Sequence, residues 1–108
     1  MSLITPTQLK QLIKDKPDLV IIDIRTEKEM GEGRVPNARW MDVSDINFMS
    51  KAKDLSKDKN YCLYCASGER SEMAVSFMEM NGFLNIYDLK GGIASWINEG
   101  NILEQAQL

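Results

Sequence analysis

The amino-acid sequence predicts an α/β fold built on a mainly parallel sheet. Two observations point there. Short apolar runs alternate along the chain with amphipathic stretches, the pattern of strands joined by crossover helices. The first run, Leu19-Val20-Ile21-Ile22, is apolar at every position rather than every second one, as in a strand buried on both faces.

The elements follow in order. Thr5-Pro6-Thr7-Gln8 opens a helix: Thr5 caps, Pro6 suits the first helical position and Gln8 completes a capping box. Leu9, Leu12 and Ile13 then share a face, and Pro17 stops the helix. After the Leu19–Ile22 strand, Thr26 to Glu32 reads as a short helix closed by Gly31 or Gly33. Val35-Pro36-Asn37-Ala38 must be extended or turned, because proline restricts the residue before it. Ser44 to Leu55 reads as a helix with Ile46, Met49 and Leu55 as its apolar side. Tyr61 to Tyr64 is a second buried strand. Arg70 to Asn81 is predicted as a helix whose inward stripe is Met73, Ala74, Phe77, Met78 and Met80, with Gly82 beyond its end. Asn85 to Leu89 is a third strand, and Gly91-Gly92 turns into a last helix with Ile93, Trp96 and Ile97 inward. In such folds ligands bind at the carboxyl ends of strands, so the segments after Ile22, Tyr64 and Leu89 are the places to search.

Composition narrows the chemistry. The chain of 108 residues has no histidine, two cysteines and a net charge of −3. That excludes a Ser-His-Asp triad, a Cys-His dyad and a His-ligated metal, and two cysteines cannot complete a Cys₄ or Cys₃His zinc site. At most one disulfide is possible, so this is not a disulfide-stapled scaffold. With no repeat, low-complexity segment or linker, one domain over residues 1–108 is expected. An isoelectric point near 4.9 argues against nucleic acid and anionic membranes as partners. No apolar run approaches the roughly 18–20 residues of a membrane span. The start, MSLITPTQLKQLIKDK, lacks a basic segment followed by an apolar one, so a cytoplasmic location is expected.

The segment after the second strand reads Tyr64-Cys65-Ala66-Ser67-Gly68-Glu69-Arg70-Ser71. A buried strand ends at a cysteine, a loop of small residues follows, and a helix begins. The thiolate is the nucleophilic form of cysteine, and helix N-termini and cations lower its pKa. Successive loop N–H groups converge as an anion nest, and the helix start adds roughly half a positive charge. Arg70 is a permanent cation and Gly68 allows a tight loop. With no histidine as base, the loop must activate Cys65 electrostatically. Glu69 either faces the mouth, opposing a dianionic donor, or points to solvent at the helix start; the second reading is preferred. Arg70 is read equally as a donor-binding residue and as a structural ion pair with Asp23 or Glu29. Arg25 is read as structural, and Trp40 and Trp96 as core or pocket rim. The mixed charges from Lys51 to Lys59 read as a solvated face.

Cys62-Leu63-Tyr64-Cys65 spells C-x-x-C, the spacing of a dithiol redox pair. On one extended strand the two Cα atoms stand about 10 Å apart and the side chains point to opposite faces. A disulfide needs roughly 4.4–6.8 Å. Cys62 is therefore read as core.

The loop resembles that of the single-domain rhodanese-like sulfurtransferases, Cys-x-x-Gly-x-Arg-Ser, at Cys65, Gly68, Arg70 and Ser71. The likeness covers nearly the whole chain. Asp23-Ile24-Arg25 with Glu29 is similar to the family's Asp-x-Arg segment, Gly33-Arg34-Val35-Pro36-Asn37-Ala38 to its Gly-His-Ile-Pro-Gly-Ala segment, and Gly91-Gly92-Ile93 with Trp96 to its Gly-Gly ending. Arg34 stands where the family has His, and Asn37 where it has Gly. The resemblance implies a rhodanese-like α/β fold, with a central sheet of about five strands and helices on both faces. It implies transfer of a sulfane sulfur, from thiosulfate or a persulfide donor (a small molecule or a persulfidated protein), to a thiol or cyanide acceptor through a Cys65 persulfide. The anion-binding loop would be Ala66, Ser67, Gly68, Glu69 and Arg70, supported by Ser71, Asp23, Arg25 and Glu29, with no metal and no cofactor. The Cys-x₄-Arg spacing, one residue shorter than in cysteine phosphatases, suits a sulfur atom better than a phosphate. A non-catalytic binding module on the same fold is the first alternative, and a phosphatase or arsenate reductase the second.

Overall fold

A computed structural model of the chain describes residues 2–105. Five strands and five helices alternate in it: β1 (Ser2–Ile4), α1 (Pro6–Asp15), β2 (Val20–Asp23), α2 (Glu27–Gly31), β3 (Arg39–Trp40), α3 (Phe48–Lys53), β4 (Asn60–Tyr64), α4 (Glu69–Met80), β5 (Asn85–Leu89) and α5 (Gly92–Asn98). The strands form one sheet in the order β1-β5-β4-β2-β3, and every pairing is parallel. The expected parallel α/β sheet is therefore present. The short edge strands β1 and β3 carry no apolar run of their own, which is why residue pattern alone did not single them out. The strand order puts β4 in the middle of the sheet, so the loop that follows it opens at the centre of the carboxyl edge.

Residues on alternate positions of the sheet enter two separate cores. On one face Ile22, Tyr61, Leu63 and Ile86 pack with Phe48 and Ala52 of α3 and Ala74, Val75 and Met78 of α4. On the other, Ile21, Cys62, Tyr64 and Leu89 pack with Leu9 of α1 and Ile93 and Trp96 of α5. Helices thus cover both faces. Among them α1 starts as its residues dictate, with Thr5 and Gln8 satisfying each other's backbone N–H groups.

Four helices differ from expectation in phase or in one inward residue. The segment from Ser44 does not start as a helix, because the Asp42 and Asp45 side chains accept from the N–H groups of Ser44 (2.9 Å) and Asn47 (2.8 Å) and hold successive turns. Helix α3 begins only at Phe48, so Phe48 and Ala52 are buried while Ile46 is 95% exposed and Met49 also faces out. In α4 the buried stripe is Ser71, Ala74, Val75 and Met78, and Met73 and Met80 are 76% and 86% exposed. The small residues set that face, not the long methionines. In α5 Ile97 is exposed, with Ile93 and Trp96 inward. Ile13 of α1 is likewise exposed, while Leu9 carries the contact.

The Val35–Ala38 segment is a turn closed by the Ala38 N–H on the Val35 carbonyl (3.1 Å), with Asn37 at φ 66°. Proline followed by a left-handed residue is the order a type II turn requires, and asparagine tolerates that conformation better than other side chains. The Asn37 departure is thereby accommodated. Arg34 pairs with Glu104 at 2.8 Å and bridges it through the backbone.

Candidate active site

Cys65 immediately follows β4 and is buried on the α4 side of the sheet. The chain then turns through Ala66 and Ser67 to Gly68, the residue preceding α4, which takes φ 114° and ψ −17°. That conformation strains any side-chain-bearing residue, so glycine is required here for its backbone. The turn aims the Gly68 N–H at Cys65 Sγ, 3.1 Å away.

The carbonyls of the loop are held elsewhere. Ile93 N–H donates to the Cys65 carbonyl (2.9 Å) and Ala94 N–H to the Ala66 carbonyl (3.1 Å), so the first turn of α5 takes up two loop acceptors. Gly92 makes this approach possible: a Cβ there would lie 2.5 Å from the Cys65 oxygen and 2.6 Å from the Ala66 oxygen. With carbonyls turned away and N–H groups turned in, the loop is an anion nest. Burial alone pushes the Cys65 thiol up, but hydrogen bonding from the Ser71 hydroxyl and from the backbone N–H groups of Ser71, Gly68 and Ser67 outweighs it and holds the thiol below its ordinary pKa. Ser71 Oγ lies 3.6 Å from the sulfur.

The remaining expected residues fall around this nest. Arg70 pairs with Glu29 through both terminal nitrogens, at 2.8 and 2.9 Å, rather than with Asp23. Glu29 also accepts from the Thr26 N–H (3.1 Å) and so caps α2. One carboxylate therefore ties the start of α2 to the start of α4. The Arg70 guanidinium, opposed only by burial, draws the Glu29 carboxyl down to about 2. Glu69 is exposed at the first position of α4, where it accepts from the Ser67 hydroxyl, and it lines a cavity beside the loop. Asp23 and Arg25 form a separate buried pair under the Gly33 segment: Arg25 Nη2 reaches Asp23 at 2.7 Å and the Gly33 carbonyl at 2.7 Å. The Tyr64 hydroxyl donates to Asp23 (2.7 Å) and accepts from the Val35 N–H (3.0 Å). Asp23 and Arg25 brace the neighbouring turn, and among the described residues no hydrogen bond joins either to the Cys65 sulfur. Trp96 is core, its indole N–H on the Ile102 carbonyl (2.8 Å); Trp40 is partly exposed and caps the Arg25 carbonyl (2.8 Å).

Two participants were not picked out from the sequence as part of the site. The Gly91-Gly92 turn, in the sequence a helix start and part of the family resemblance, also buttresses the loop. Asp88, on β5, is buried and accepts from Ser71 Oγ at 2.6 Å. Its sole signal in the sequence is a carboxylate inside an apolar strand, three residues before that glycine pair. Among the described residues, no group of three or more Cys, Asp or Glu side chains is placed to hold a metal ion.

Comparison with known proteins places the chain in a family. A family profile described as Rhodanese-like domain matches residues 5–99. A protein of Allochromatium vinosum named Sulfurtransferase is 32% identical over 92 residues, covering 85% of this chain and 84% of the relative. A Putative sulfurtransferase YtwF of Bacillus subtilis is 33% identical over 96 residues, covering 89% and 90%. Proteins named tRNA uridine(34) hydroxylase match as well, and this chain spans only part of them, 30% of the one from Cytophaga hutchinsonii. The crystal structure of a rhodanese-related protein from Thermoplasma volcanium superposes with a TM-score of 0.86 at 35% identity, covering 98% of this chain and all of the other.

Proposed function

The chain belongs to the rhodanese-like domain family, and on that premise we propose that it is a sulfurtransferase that carries a sulfane sulfur on Cys65. The observation that carries the reading is the loop itself: the Gly68 N–H at 3.1 Å from Cys65 Sγ, with the loop carbonyls engaged by α5. The Cys65 thiolate attacks the outer sulfur of the donor. The donor's S–S bond breaks, and its inner sulfur leaves with the electron pair, as sulfite from thiosulfate or as a thiolate from a persulfide. The product is a Cys65 persulfide whose terminal sulfur is anionic, and donors that stabilise the thiolate suit that charge equally. An acceptor thiol then attacks the terminal sulfur and releases the Cys65 thiolate.

Glu69 and Glu72 line the cavity beside the loop, with Lys90 as its one cation among the described residues. Asp88 lines it as well, and these acidic residues disfavour a dianion by like-charge repulsion. A persulfide is therefore ranked ahead of thiosulfate as donor. Arg70 serves the loop as a brace through Glu29, since its terminal nitrogens are already engaged.

The test is to incubate the protein with each donor and to measure intact mass and cyanolysis. A gain of one sulfur, lost on cyanide treatment and abolished in Cys65→Ser, is expected, with the faster loading from the persulfide. No added sulfur from either donor would remove the sulfurtransferase reading and leave a binding module on this fold.

A further inference from the structure

Ser71 has one hydroxyl proton and three polar neighbours, two carbonyl or carboxylate oxygens that accept from it and the Cys65 sulfur, whose thiol donates to it. Asp88 Oδ1 lies 2.6 Å from its oxygen, the Gly68 carbonyl 3.2 Å, and Cys65 Sγ 3.6 Å. A hydroxyl donates once. When Asp88 is ionised the short contact claims the proton, and Ser71 then has only lone pairs to offer the sulfur. That arrangement favours the neutral thiol, whose S–H donates to Ser71. When Asp88 is protonated its own O–H points to Ser71 Oγ, and Ser71 is free to donate to the thiolate. The hydrogen bond by which Ser71 stabilises the thiolate therefore requires the proton to be on Asp88.

We propose that Cys65, Ser71 and Asp88 form a relay holding one shared proton, with Asp88 acting through Ser71 as the proton acceptor of the nucleophile. The thiol S–H passes its proton to Ser71 Oγ while the Ser71 proton moves to Asp88 Oδ1. The net change is thiol plus carboxylate to thiolate plus carboxylic acid. One S–H bond breaks, one carboxyl O–H bond forms, and no electron is transferred. Asp88 is thus a positioning residue for the proton, and the lack of histidine does not leave the thiol without an acceptor.

The surroundings of Asp88 fit this role. It is buried on β5, and among the described residues Ser71 is its only hydrogen-bond partner and no cation pairs with it. Burial raises its carboxyl pKa, the Ser71 hydrogen bond opposes that, and the Glu72 charge adds to it. The titratable groups around it are Glu69 and Glu72 of α4, Cys62 and Cys65 at β4, and Lys90 after β5. Asp88 is also one of the residues lining the cavity of about 370 Å³ beside the loop. The catalytic consequence rests on the sulfur-transfer reading above; the shared titration does not.

The measurement is the rate of Cys65 alkylation by iodoacetamide from mildly acidic to alkaline pH, with adducts counted by intact mass and located by peptide fragmentation. Two groups sharing a proton titrate as a pair in two macroscopic steps. The wild type is expected to rise in two steps separated by a plateau. Asp88→Asn should give one step, because the amide cannot take the proton while its N–H₂ keeps Ser71 turned toward the sulfur. Ser71→Ala should also give one step, since it cuts the link, and its midpoint should lie above that of Asp88→Asn. Circular dichroism reports whether each variant folds; if Asp88→Asn does not, Ser71→Ala decides. A single step in the wild type, or two steps surviving in Ser71→Ala, overturns the relay. Because alkylation needs no sulfur donor, a protein that titrates in two steps yet accepts no sulfur keeps the relay and loses the transfer reading.

Discussion

Cys62 and Cys65 are three residues apart at one strand, both unexposed, and their thiols are driven in opposite directions. Burial pushes Cys62 up, and the Asp88 charge adds to it. Burial pushes Cys65 up too, yet the hydrogen bonds from Ser71 and from the loop N–H groups bring it below its ordinary value. The two side chains enter different cores, Cys62 against α1 and α5, Cys65 against α4. The difference between the two thiols is therefore not a matter of exposure. It follows from where the chain leaves the sheet: Cys62 sits where the ladder consumes every N–H, and Cys65 where the ladder ends and the N–H groups are free to turn toward a sulfur.

The largest break in that contrast should come from Gly92→Ala. The added methyl would sit within 2.5–2.7 Å of the backbone of Cys65 and Ala66, and its φ of +62° adds strain. Backbone cannot yield as a flexible side chain does, so the loop must shift and its carbonyls lose Ile93 and Ala94. Loss of a preorganised donor at an anion costs on the order of 10²-fold in rate. Sulfur loading of Cys65 should fall by about that much, with a stability loss of about 2 kcal/mol. A Gly92→Ala protein whose Cys65 alkylates with the wild-type pH profile would show that α5 does not set the nest.

How far the sequence reveals such a site depends on which forces write themselves locally. The three long strands were legible, because runs such as Val20-Ile21-Ile22 have no other way to be satisfied. The capping box at Thr5 and Gln8 was legible because both halves lie within one turn. Cys65, Gly68 and Arg70 were legible as a strand–loop–helix junction. The faces of α3 and α4 were not, because side-chain length is a poor guide once Asx turns delay a helix or a serine must face inward. Ser71 stood in the motif but its partner Asp88 lies 17 residues on, brought to it by the pairing of β5 beside β4. The Arg70 partner was narrowed to two carboxylates. Only the placement of α2 against α4 selects Glu29.

Glu29→Gln should have a smaller effect, and it separates the share of the Arg70 cation from that of the N–H groups. The glutamine oxygen keeps the cap on Thr26, but the charge is gone. The folded carboxyl is depressed to about 2, so the ion pair's contribution is fully present above the unfolded value of about 4.3 and fades as pH falls toward 2. Both side chains are about a third exposed, so solvent screening holds the contribution to about 1 kcal/mol or less. Denaturant midpoints at neutral pH should favour the wild type by that amount, and the gap should close on acidification. Near-neutral alkylation of Cys65 should quicken slightly as Arg70 loses its counter-charge. A stability gap that persists at low pH would mean the loss is one of packing rather than charge.

The smallest effect on reactivity belongs to Cys62→Ala. The side chain fills a fully buried site among Ile4, Leu9, Ile21 and Leu89, so truncation should cost about 1–2 kcal/mol in unfolding free energy through the small cavity it leaves. Its sulfur makes only a distant contact to the Leu63 carbonyl, 3.9 Å, so no hydrogen bond of consequence is lost. The two cores are separated by the sheet, and the groups that hold Cys65 lie on α4 and in the loop. Alkylation of Cys65 and its sulfur loading should therefore match the wild type while the thermal midpoint drops. If Cys65 slowed in step with the stability loss, the strand would be transmitting the cavity across the sheet, and the independence of its two faces would fail.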